Sequence, residues 1–140
     1  MTNDYENQRR ELRKVYFDVW QKMNNTKSLE PMEERIALII QMHPEYHSIL
    51  SQPDMLDNDF GSDTIESNPF YHMGLHISIH EQVGLDQPAG IQNLYYKLAQ
   101  KYQEPHKIEH IMINCLVAVL EDGFNNMNDS KYIECLNLKI

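Results

Sequence analysis

The sequence predicts an all-α protein, a single-domain helical bundle of about five to six helices spanning residues 1–140. Three observations predict it. Apolar residues recur at spacings of three and four along most of the chain, as the face of a 3.6-residue helix requires. Pro31, Pro69 and Pro105 stand where helices would open, the position at which the missing N–H of proline costs nothing. No segment alternates with the period of two that marks a half-buried strand.

The elements follow in order. Residues 6–24 place Leu12, Val15, Tyr16, Val19, Trp20 and Met23 on one face of an amphipathic helix. Pro31 opens a second helix over 31–42, with Ile36, Leu38, Ile39 and Ile40 apolar. Pro44 lacks an N–H and its ring clashes with the preceding turn, so a kink or a new short helix, about 44–52, follows. Residues 53–67 read as an acidic loop. Asn68-Pro69 pairs an N-cap with proline at the first helical position and opens a helix over 69–84, ended by Gly84. Asp86-Gln87-Pro88 starts the next, 87–103, with Ile91, Leu94, Tyr95, Leu98 and Tyr102 on one face. Glu104-Pro105 starts a long helix over 105–122, ended by Gly123, and Asp129 or Ser130 caps a last one over 130–138.

Composition narrows the function classes. A chain of 140 residues fits one domain and excludes a large multi-domain enzyme. Its 41% hydrophobic content contains no run approaching the ~18–20 apolar residues of a membrane span. A formal charge of −9 argues against nonspecific nucleic-acid binding, which needs a basic surface. The first ten residues carry no apolar stretch of the secretory type, so the expectation is a cytoplasmic protein with free thiols at Cys115 and Cys135. The partners left open are a second copy of the chain or another protein.

The histidines are the feature that carries chemistry. All seven fall in i, i+4 relations: His43 with His47, His72 with His76 and His80 in one row, and His106 with His110. Between Arg35 and Lys97 there is no Lys or Arg, while eight acidic residues and five histidines lie there. Residues four apart on a helix differ by about 40° and share a face, so such a pair can bind one metal ion. Two or three helices of a bundle can aim such pairs at one interior point. His72, His76, His106 and His110 form the expected core of a metal site, with His47 the next member. His43 joins only if the backbone stays helical through Pro44, and His80 reads as incidental.

The carboxylates near these rows differ in their reach. On the long helix, Glu109 lies about 60° to one side of His106, and Glu121 about 60° to the other. Either could ligate a metal or orient an imidazole ring, although Glu121 near the helix end reads more simply as solvated. Glu81, about 180° from His72, suits a bond elsewhere in the core. Glu45 suits the start of a helix. Imidazole with carboxylate fits zinc, iron, manganese, nickel or copper, and no organic cofactor is signalled. The paired Glu-x-x-His of ferritin-like proteins and the His-Glu-x-x-His of zinc proteases are absent.

Weaker signals are read blandly. Asp57-x-Asp59-x-Gly61-x-Asp63 hints at a calcium loop but fails the EF-hand pattern, with Ser62 at the sixth position and Asn68 at the twelfth. It reads as an exposed acidic loop. Cys115 lies about 140° around the helix from His110, so it reads as a buried structural thiol and not a nucleophile.

Three segments in order carry a resemblance: His43-Pro-Glu-Tyr-His47, Asn68-Pro-Phe-Tyr-His-Met-Gly-Leu-His76 through Glu81-Gln82, and His106-Lys-Ile-Glu-His110 with Cys115-Leu116. Asp86-Gln-Pro-Ala-Gly-Ile91 also fits. Together they resemble an uncharacterised bacterial family, domain of unknown function 1841, over nearly the whole chain. The resemblance implies a compact, mostly helical bacterial protein and no particular reaction. Its pattern has histidine at positions 43, 47, 72, 76, 106 and 110 and acids at 81 and 109, with His80 an addition. Where the pattern favours Glu, this chain has Asn114 and Ala118, which weakens a dinuclear carboxylate site more than a histidine-rich mononuclear one.

Two functional readings result. The first is a helical protein binding a transition metal through histidine pairs, with Glu109 ligating or orienting a ring. The second is a non-enzymatic interaction protein whose histidines are structural or respond to pH. No reaction follows from the sequence under either reading.

Overall fold

A computed structural model describes residues 4–60, 64, 67–121 and 129–140. Among these residues it contains seven α-helices, two 3-10 helices and no strand. The all-α expectation holds, with α-helices slightly more numerous than the five to six expected. The chain divides into two compact units, residues 1–74 and 75–140. No helix among the described residues is long and apolar enough to cross a membrane. The expected stop at Gly123, and Gly61 and Asp63 of the Asp57–Asp63 motif, lie outside the described residues.

The first unit begins with α1, Asp4–Asn24. Its buried face differs from the apolar stripe in the sequence. Tyr16 and Val19 are buried, but Leu12 is 69% and Val15 40% exposed, and Arg13 is buried in their place. The reason lies in what Arg13 meets. Its guanidinium carbon sits 5.3 Å from the centroid of Phe60 and 5.0 Å from that of Phe70. Its Nη1 donates to the Asn58 carbonyl at 2.7 Å. Flat guanidinium against aromatic faces, with a backbone acceptor for the charge, makes burial of an arginine tolerable.

Thr26, at φ 51°, ends α1, with bonds from Lys27 N to Lys22 O (3.0 Å) and Thr26 N to Met23 O (3.4 Å) closing a Schellman turn. Next comes α2, Pro31–Gln41, opened by a capping box in which the Glu30 N–H donates to Glu33 Oε1 at 2.9 Å. It buries Ile36, Ala37, Ile39 and Ile40, whereas Leu38 is exposed. At His43 the backbone leaves the helix (φ −128°, ψ 66°). Pro44–Tyr46 form a 3-10 turn, and α3, His47–Leu50, follows. The expected loop over 53–67 begins with a 3-10 helix, Pro53–Asp57, where Asp57 Oδ1 accepts from Arg10 Nε at 2.8 Å.

The helix α4, Pro69–Leu85, runs across the division between the units. Asn68 caps it as the sequence predicts, its Oδ1 accepting the N–H groups of Phe70 (3.0 Å) and Tyr71 (3.2 Å). No residue from 69 to 80 is exposed, as suits a helix without a charged residue before Glu81. It does not stop at Gly84. The left-handed residue is Asp86 (φ 51°), and Gln87 N reaches back to Gln82 O at 3.0 Å. Asp86 Oδ1 then accepts from Gly90 N and Gln92 N, so one aspartate closes α4 and caps its successor.

The rest of the second unit is α5, Ile91–Tyr102, α6, Pro105–Glu121, and α7, Asp129–Asn137. Gly90 adopts φ 95° before α5, which explains a start later than residue 87. The buried residues include Leu98, Ile108, Met112, Ile113, Tyr132 and Leu136. Tyr132 donates its hydroxyl hydrogen to Gln82 Oε1 at 2.6 Å. Cys115 of α6 and Cys135 of α7 form a disulfide, which corrects the expectation of free thiols. The packing of α7 on α6 brings the two cysteines together across 20 residues, a proximity that their spacing alone does not reveal.

Candidate metal centre

Two helices of the second unit carry histidine rows. On α4, His76 and His80 are one turn apart, and on α6, His106 and His110 repeat that spacing at the helix start. Glu109 lies between the latter two in sequence, buried with 4% exposure. Its Oε1 accepts a hydrogen bond from His76 Nδ1 at 2.9 Å and another from His80 Nε2 at 2.8 Å. Burial pushes the Glu109 carboxyl up, but the two hydrogen bonds and the nearby imidazoles outweigh it and hold the group down at about 2.

The rings of His76, His106 and His110 converge. His76 is fully buried, while His106 and His110 are half-buried. The ring centroids of His76 lie 5.4 Å from those of His106 and 4.9 Å from those of His110. His106 and His110 stack at 4.6 Å with planes 13° apart. One ring nitrogen from each lies within 4.8 Å of the other two. Atoms so arranged fall within about 2.8 Å of a common point, close to the metal–nitrogen bonds of about 2.0–2.1 Å that zinc makes. This cluster could hold a metal ion, after inward movement of about an ångström by each ring.

The remaining histidine candidates of the sequence lie in the first unit. His72 belongs to the first unit, where its Nδ1 lies 2.8 Å from the Tyr46 hydroxyl and its ring meets that of His43 edge-on at 4.7 Å. His43 is buried and its Nδ1 donates to the Ile39 carbonyl at 2.7 Å. His47 donates from Nε2 to the Ile40 carbonyl at 2.9 Å and packs against Trp20 at 4.5 Å. Because the helix breaks at His43, His43 and His47 do not form a helical i, i+4 pair.

Among the carboxylates, Glu45 and Glu121 are exposed, in keeping with the solvated reading. Glu81 is exposed too, which corrects the expectation of a bond in the core: it projects from the part of α4 where the polar face begins. His80 requires the opposite correction. It reads as incidental in the sequence, yet it binds the buried carboxylate. The signal was its place in the row one turn after His76.

The domain of unknown function DUF1841 matches residues 8–138. The chain belongs to this family. No curated protein and no solved structure matches it. The six histidines that the DUF1841 resemblance singles out divide between the units, three in each. Asn114 and Ala118, where the DUF1841 pattern favours glutamate, are both exposed on α6. The three-imidazole cluster therefore does not depend on carboxylates at those positions.

Proposed function

We propose that this protein binds a transition metal ion through His76, His106 and His110 of its second unit. The convergence of three ring nitrogens within 4.8 Å of one another carries the reading. The bond from His76 Nδ1 to Glu109 supports it, since histidine ligands characteristically donate their second nitrogen to a carboxylate. Three imidazoles without a thiolate suit zinc, and also nickel, copper, iron or manganese. Three protein ligands also leave a coordination position for water or a substrate atom, the arrangement of catalytic zinc sites.

The test is metal analysis of untagged protein beside His76→Ala and the double variant His106→Ala/His110→Ala. Near-stoichiometric metal in the parent and its loss in both variants is expected. Less than about a tenth of an equivalent in the parent, after loading and desalting, overturns the reading.

In the first unit, a specific observation favours structural histidines. His43 and His47 each bond a backbone carbonyl of α2, and His72 meets Tyr46. There the histidines fix the chain after the α2 break.

A further inference from the structure

We propose that His80 and Glu109 act as a positioning pair that sets the tautomer and orientation of His76, so that His76 presents Nε2 to the metal. This inference rests on the metal-binding reading of the same site.

The geometry is specific. Both imidazoles bond the same carboxylate oxygen, Oε1, at 2.9 and 2.8 Å. His76 and His80 come from consecutive turns of α4, whereas Glu109 comes from α6. The oxygen is thus clamped between two donors whose separation is set by the helix repeat. A glutamate has three side-chain torsions to restrict, and a single hydrogen bond leaves the carboxylate able to swing about that contact. The second donor removes this freedom and holds Oε1 in line with His76 Nδ1.

The consequence for His76 follows from its two nitrogens. A carboxylate acceptor at Nδ1 keeps the hydrogen there and makes Nε2 the nitrogen with a lone pair. The ring is fully buried, so its rotation is limited by packing as well. His80 differs: its side chain keeps 20% of its exposure, and it is not a member of the imidazole cluster. Its role is exerted through Glu109 alone.

Two measurements test the pair separately from the site. The first uses metal-free protein and nitrogen-15 NMR of the histidine rings. The parent should show His76 as the Nδ1–H tautomer. Glu109→Leu should lose that preference, and His80→Leu should broaden it by exchange. An Nε2–H tautomer in the parent overturns the inference whatever metal does.

The second measures zinc affinity by competition with a chromophoric chelator at fixed pH. Glu109→Leu should weaken zinc about 10–100-fold, the usual cost of losing such a partner, and His80→Leu roughly three- to tenfold. His80→Gln should restore near-parental affinity, because the Gln amide nitrogen can occupy the place of His Nε2 and donate to Oε1. A merely structural role predicts instead that affinity follows folded stability, which thermal unfolding of the metal-free variants reports. Zinc affinity of His80→Leu equal to the parent's overturns the positioning role and leaves the metal site standing. Absence of zinc binding by the parent overturns both.

Discussion

Glu109 Oε1 lies 2.9 Å from His76 Nδ1, a contact between two buried side chains separated by 33 residues of sequence. Removing one partner of such a pair leaves buried polar atoms without an acceptor, which costs more than the net worth of the bond. Glu109→Leu should therefore lower the stability of the metal-free protein by about 3 kcal/mol in urea denaturation. Glu121→Leu changes an exposed carboxylate on the same helix and should stay within about 0.5 kcal/mol. Equal effects of the two substitutions would contradict the buried arrangement.

Metal binding and protonation compete at the three imidazoles. A ligand that binds only the folded state stabilises it, by about 2.7 kcal/mol when its free concentration is 100 times the Kd. Zinc should raise the melting temperature at pH 7.5 and a chelator should reverse the change. Because coordination needs a ring nitrogen that carries no proton, the stabilisation should be smaller in acid than at pH 7.5. His106→Ala/His110→Ala should abolish the zinc effect at every pH. A zinc-dependent rise that survives in this variant would place the ion elsewhere.

The Cys115–Cys135 disulfide closes a short segment and ties α7 to α6. A cross-link across about 20 residues restricts the unfolded chain enough to contribute about 3 kcal/mol. Reductant should lower the urea midpoint of the parent by a corresponding amount. It should leave Cys115→Ser/Cys135→Ser unchanged. Tyr132 and Leu136 are buried on α7, so the helix should remain docked after reduction, visible as preserved far-ultraviolet dichroism.

The sequence made the helices and the candidate ligands readable to different degrees. Asn68 with Pro31, Pro69 and Pro105 announces helix starts because caps are local chemistry, whereas Pro88 stands three residues before α5. Helix ends were harder: Thr26, Asp86 and Gln103 all take positive φ without being glycine, and α4 runs past Gly84, its expected stop, to the turn at Asp86. Such residues adopt that conformation when the turn's bonds compensate, as the two N–H groups accepted by Asp86 Oδ1 illustrate. The His106–His110 pair was legible from spacing, whereas the division of the histidine row at α4 was not. His72 and His76 share a helix face, yet their partners depend on Tyr46 and Glu109, which lie 26 and 33 residues away. The same limit hid the disulfide.

Arg13 presents another case in which partners override pattern. Its guanidinium meets Phe60 and Phe70 and donates to Asn58 O. Lysine cannot reproduce a flat surface between aromatic rings, so Arg13→Lys should destabilise the protein by about 1–2 kcal/mol despite keeping the charge. Leu12→Gln, one residue away but exposed, should cost less than about 0.5 kcal/mol. Urea midpoints of the two variants provide the comparison.

Tyr16 should contribute to a loss of stability in alkali. It is 7% exposed and packs edge-on against Phe70 with centroids 5.7 Å apart. Burial pushes its phenol up to about 12, from about 10 in the unfolded chain. Between those values the folded state holds a proton that the unfolded state has released, so stability falls as pH rises. The contribution is fully present below pH ~10 and lost through about 12, an effect on the order of 2–3 kcal/mol. Burial also raises the phenol of Tyr132, which acts in the same direction. Tyr16→Phe cannot ionise, so its stability should decline less steeply across that window than the parent's. Urea denaturation at pH 9, 10 and 11 measures the slope, and identical slopes in parent and variant would show that Tyr16 is not the group responsible.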